Sequence, residues 1–84
     1  MKTKFTLKTK LFYDPPDPED KRIIKYYRHQ GFTVNMKDEE IYRFYDYEIK
    51  LNIGDRISLS GFQLVEWKCF YLEEDYIEYI LVEE

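Results

Sequence analysis

Apolar and polar residues alternate along most of this chain, and a period of two is the signature of a β-strand with one buried and one wet face. Phe5, Leu7, Leu11 and Tyr13 share one parity, while Lys4, Thr6, Lys8 and Lys10 share the other. The pattern returns at Tyr47, Ile49, Leu51 and Ile53 and resumes at Ile57 and Leu59. Two further strands are expected over residues 62–72 and 76–82, joined as a hairpin by Glu73-Glu74-Asp75. Half-buried strands need a layer to lie against, and 84 residues hold only one domain, in which about 60–65% of the chain's surface is buried on folding. With no alanine, nine Tyr and six Phe, the aromatic rings must supply most of the buried area.

One element breaks the alternation. Asp14-Pro15-Pro16-Asp17-Pro18 stops the first strand, because proline lacks the ladder N–H and pushes its predecessor out of the helical region. Asp17 followed by Pro18, Glu19 and Asp20 is also a helix start, so a helix is expected over residues 18–30, closed by Gly31. On a helical wheel Ile23, Ile24 and Tyr27 cluster on one side with Tyr26 at the margin, and Lys21, Lys25 and Arg28 form a basic ridge on the other. No acidic residue lies between Lys21 and Lys37, so the ridge has no intrahelical partner of opposite sign.

Residues 32–36 read as a short strand. Residues 41–53 have both helical and strand features, and Tyr42, Phe44, Tyr45 and Tyr47 favour the strand. The order of strand, helix and a run of strands defines an α+β domain: a strongly twisted antiparallel sheet, or a small barrel, of about five to six strands with the helix packed on it.

The segment Leu51-Asn-Ile-Gly-Asp-Arg-Ile-Ser-Leu59, with Val65-Glu-Trp-Lys-Cys-Phe-Tyr71 and the ending Ile80-Leu-Val-Glu-Glu84, resembles the core of short bacterial proteins often carried on phage-like or mobile elements. The likeness spans residues 47–83. It implies a small, strongly bent barrel with a Gly-Asp turn and a C-terminal hairpin, and a mobile-element setting without an assigned activity.

Little in the sequence points to catalysis. There is no Gly-x-Ser-x-Gly elbow, phosphate-cradling loop or His-Glu-x-x-His, and Gly31, Gly54 and Gly61 stand alone at turns. One cysteine, Cys69, and one histidine, His29, provide neither a disulfide nor a zinc set, and Cys69 in its apolar run reads as a core residue. No metal or cofactor is expected. No apolar run reaches a membrane span and the N-terminus alternates where a signal peptide needs an apolar block, so a cytoplasmic location is expected.

The net charge of −4 is unevenly spread: residues 1–37 carry nine Lys/Arg against four Asp/Glu, and residues 38–84 carry four against thirteen. Two binding modes follow. The first is a protein interface made of Tyr42, Tyr45 and Tyr76 with Glu73, Glu74 and Asp75, and in its sharper form the acidic surface imitates nucleic-acid phosphates. The second is a nucleic-acid face in which Lys4, Lys8 and Lys10 merge with Lys21, Lys25 and Arg28, and Tyr26 or Phe12 stacks on bases. A pI near 5.0 favours the first, in which the chain is a non-catalytic module for a protein partner. An unpaired first or last strand also permits a homodimer.

Overall fold

The computed structural model describes residues 1–8, 18–38, 40–59 and 61–83. Seven elements follow in chain order: β1 (Lys2–Leu7), α1 (Pro18–His29), β2 (Thr33–Asn35), β3 (Glu40–Tyr45), β4 (Arg56–Ile57), β5 (Gln63–Tyr71) and β6 (Tyr76–Glu83). The six strands form one open sheet in the order β2-β3-β1-β6-β5-β4 with α1 on one side, an α+β fold. The expected continuation of β1 through Leu11 and Tyr13, and the cap at Asp17, lie outside the described residues.

Two expectations about the sheet are corrected. It is not closed into a barrel, because β2 and β4 end it on either side. Nor is it wholly antiparallel: β1 and β6 run parallel, with Thr3 beside Ile77, Phe5 beside Tyr79 and Leu7 beside Leu81. Parallel neighbours need a long crossover, and nearly the whole chain lies between these two strands. The first and last strands are therefore central, and neither is a free edge.

Alternation along β1 and β6 sends Thr3, Phe5, Leu7, Ile77, Tyr79 and Leu81 to the covered face, where all six are buried. Ile41 and Val65 join them from β3 and β5, and α1 adds Ile24 and Tyr27, the apolar side of its wheel. Rings organise this layer: Phe5 stacks on Tyr79 at 5.6 Å and meets Tyr45 edge-on at 5.7 Å. Tyr27 meets Phe32 edge-on at 5.8 Å and its hydroxyl donates to Glu83 at the end of β6. The helix C-terminus is held by Arg43, whose guanidinium lies 4.4 Å over the Phe32 ring and donates to the Gln30 carbonyl. Gly31 follows with φ of 92°, and a Cβ there would come within 3.3 Å of Arg43 Nη2.

The clearest departure from the expected strands is at residues 46–52. Their alternation is strong, yet they leave the sheet after Tyr45 and belong to no ladder. Their backbone is bonded by side chains of the covered face instead. The Thr3 hydroxyl donates to the Tyr47 carbonyl and accepts from the Ile49 N–H, both at 2.8 Å. The Tyr79 hydroxyl donates to the Ile49 carbonyl at 2.7 Å and accepts from the Leu51 N–H at 2.9 Å. Two hydroxyls thus replace a neighbouring strand, and Ile49 and Leu51 pack against the core as a strap. No helix among the described residues is long and apolar enough to cross a membrane.

Thr3→Val and Tyr79→Phe keep shape but strand two backbone groups each. Each variant should lose about 1–3 kcal/mol in urea unfolding, and the double variant should lose less than the sum because both hydroxyls hold Ile49. An unchanged urea midpoint in both single variants would show that the strap is held by packing alone.

Candidate protein-interaction surface

The opposite parity of the same strands builds the second face of the sheet, which no described element covers. Glu40, Tyr42 and Phe44 project there from β3, Lys4 and Thr6 from β1, Tyr76, Glu78 and Ile80 from β6, and Trp67, Cys69 and Tyr71 from β5. At its centre, Lys4 donates to the Glu40 carboxylate, sits 3.7 Å from Glu78 and lies 4.7 Å from the centre of the Tyr42 ring. Glu78, itself buried, also accepts from Thr6 at 2.6 Å and from the Tyr71 hydroxyl at 3.2 Å. Two carboxylates against one ammonium leave this network with an excess negative charge.

The titration behaviour follows from that arrangement. Burial pulls the Lys4 ammonium down, but its bond to Glu40 and the nearby charges outweigh it and hold the group above its ordinary value. The Glu78 carboxylate beside Tyr71 pushes that phenol up to about 12. Desolvation raises Tyr76. On the covered side, burial and the bond to Glu83 raise Tyr27.

Around the network the aromatic groups are joined: Phe44 meets Tyr76 edge-on at 5.3 Å, and Tyr76 stacks on Tyr71 at 4.6 Å with a 17° tilt. Trp67, 60% exposed, stands beside Ile80 in the register.

Among the expected interface residues, Tyr42 and Tyr76 belong to this face. Tyr45 has the opposite parity: it packs on Phe5, and its hydroxyl accepts from Arg43 at 3.2 Å. Glu73 and Glu74 are exposed in the β5–β6 turn next to Tyr76. Asp75 serves the turn, with φ of 58°, its carbonyl accepting from the Lys2 N–H at 2.9 Å and its carboxylate 3.9 Å from the N-terminal ammonium.

The expected cationic face is divided. Lys4 is held by its carboxylates, and Lys8 pairs with Glu66 at 3.1 Å. Lys21, Lys25 and Arg28 are exposed on α1, on the other side of the sheet, and Lys10 lies outside the described residues. Because the helix covers the face that β1 turns away from its lysines, the two groups do not merge.

Cys69 is on a strand as expected but half-buried on the open face, beside Glu78 in the register, and so is not a core residue. His29 is exposed in the last turn of α1, across the sheet from it. Among the described residues no group of three or more His, Cys, Asp or Glu is arranged to hold a metal ion. A cleft of about 270 Å³ between the strap and β5 is lined by Glu48, Lys50, Leu51, Lys68 and Phe70, with Tyr79 at its base.

Phe44, Trp67 and Glu78 are members of the surface that sequence reasoning did not single out. Glu78, an acid inside the run Tyr76-Ile-Glu-Tyr-Ile80, was the available signal. No family model matches the chain, and neither the curated proteins nor the solved structures compared with it contain a match.

Lys4, Tyr27, Tyr71 and Tyr76 all bind their protons more tightly in the folded state. Their contribution to stability is therefore complete below the unfolded tyrosine value of about 10 and is lost as pH rises above it. Urea midpoints measured from pH 8 upward should be flat and then fall above about pH 10, and Glu78→Gln should bring the Tyr71 titration, followed by NMR, back toward the ordinary phenol value. A midpoint that does not fall up to pH 12, or a Tyr71 titration unmoved by the substitution, would contradict the assignment.

Proposed function

We propose that the chain is a non-catalytic binding module whose open sheet face receives a basic segment of a protein partner. The observation that carries this reading is the joined set of Phe44, Tyr76 and Tyr71 around a network that keeps an excess negative charge. Aromatic faces attract lysine and arginine cations, and tyrosine and tryptophan are enriched among the residues on which interface energy concentrates. Glu73 and Glu74 extend the negative potential along the turn beside Tyr76, which suits the phosphate-imitating form of the proposal: the partner's surface is one that otherwise meets nucleic acid. A regulator of this kind fits the mobile-element setting that the resemblance implies.

Nucleic-acid binding has less support. Its cations fall on two sides of the sheet, two of them are already paired, and the ridge of Lys21, Lys25 and Arg28 stands alone on α1.

Titration of the isotopically labelled protein with an arginine-rich peptide should move the NMR signals of Phe44, Trp67, Tyr71 and Tyr76. Tyr76→Ala should weaken binding by about tenfold, the loss expected for an interface anchor. Shifts confined to the chain ends and the Glu73-Glu74 turn would defeat the proposal. Retention on heparin at low salt with a steep loss as salt rises would put the nucleic-acid reading in its place.

A further inference from the structure

β5 is hydrogen-bonded on both sides only over its first part. β4 pairs with Gln63 and Leu64, and the Gly54-Asp55 turn continues the contact at Val65 through bonds of 2.8 and 2.9 Å. A bulge between Val65 and Trp67 follows, and from Trp67 to Tyr71 the strand pairs with β6 alone among the described residues. Among the described residues, these five therefore present a free strand edge. Of the usual protections against edge pairing, this stretch carries no proline and a single charge, Lys68, and its one bulge lies at its start.

Three strongly exposed apolar side chains lie on this stretch or next to it. Trp67 is 60%, Phe70 54% and Leu72 78% exposed, and Ile53 and Phe62 flank β4. A free edge and an apolar border in one place mark an assembly site.

We propose that this edge is the two-fold interface of a homodimer, in which β5 pairs antiparallel with β5 of a second copy about an axis at Cys69. The free stretch selects the register, because Cys69 is its midpoint and any other axis leaves residues of the stretch unpaired. With that axis Trp67 lies opposite Tyr71 of the second copy, and Lys68 opposite Phe70 of the second copy, each pairing occurring twice.

The side chains agree with the register. Trp67 and Tyr71 share the open face, so the cross-strand pairs there are aromatic on aromatic. Lys68 and Phe70 share the other face, where the Lys68 ammonium already lies 5.8 Å from its own Phe70 ring and would stand between two such rings. No like charges meet, whereas an axis at Lys68 would set the two lysines against each other. Such an interface is isologous and closes at two copies. It would also join the two open faces into one continuous sheet surface, and it holds whether or not that surface binds a basic partner.

Light scattering over a concentration series should show the 10.5 kDa chain passing to twice that mass. Phe70 is exposed, so its replacement leaves the monomer folded, which circular dichroism will verify. Phe70→Lys places lysine opposite lysine twice and should weaken dimerisation by about tenfold, whereas Phe70→Glu places carboxylate opposite lysine and should keep the dimer while making it salt-sensitive. A monomer at every concentration, a dimer indifferent to Phe70→Lys, or equal dissociation by both variants would overturn the proposal.

Discussion

The pairing of β1 with β6 is the constraint on which the rest of the molecule depends. It joins the two ends of the chain in the middle of the sheet, six residues in register, and aligns Thr3, Phe5 and Leu7 with Ile77, Tyr79 and Leu81. Because the period of a strand is two, this single alignment sorts every side chain of both strands at once. One parity becomes the floor for α1 and the strap, and the other becomes a face that no described element covers. A slip of one residue would turn one of the two strands over, bringing either Lys4 and Thr6 or Glu78 and Ile80 to the covered face and sending Phe5 or Tyr79 to the other, so the separation of core from surface and the register of the seam are the same fact.

The covered face is closed in two ways. Under α1 the layer is apolar and aromatic. Under residues 46–52 it is apolar with two hydroxyls in the right places. An extended segment lying across a sheet cannot form a ladder with it, and its buried backbone groups need partners. Thr3 and Tyr79 each donate once and accept once, and so serve four backbone groups with two side chains. Tyrosine is suited to this because its ring adds buried area while its hydroxyl reaches the strap.

Much of the architecture was legible because its signals are local. The helix, its buried side at Ile24 and Tyr27, the strands β5 and β6 and the turn between them follow from periodicity and turn residues within a few positions of each other. What was not legible depends on pairing between distant segments. The alternation at Tyr47, Ile49 and Leu51 correctly marks extended chain with one side buried, but periodicity is silent on whether hydrogen bonds go to a strand or to side chains. The candidate surface was half-visible for the same reason: Tyr42 and Tyr76 stood out by type, whereas their company with Phe44, Tyr71 and Glu78 exists only once β3, β1, β6 and β5 are neighbours. Tyr45 was misplaced by parity, since it differs by an odd number of residues from Tyr42.

The Lys4 network bears on what the open face is for. Charges drawn partly out of water gain little net stability, and a well-packed apolar replacement is commonly neutral or better for folding. A face made only of rings and aliphatic groups would serve the sheet as well. It would also be an unspecific apolar patch, open to association with any similar surface. Glu78 and Glu40 around Lys4 change that: they set a directional charge in the middle of the rings, so that a partner lacking a complementary cation must strip water from a carboxylate without replacing its bonds. The charge thus costs the fold little and gives the face a preference, while the free edge of β5, flanked by Trp67 and Phe70, is where unselective apolar contact remains and where pairing with an identical strand satisfies it.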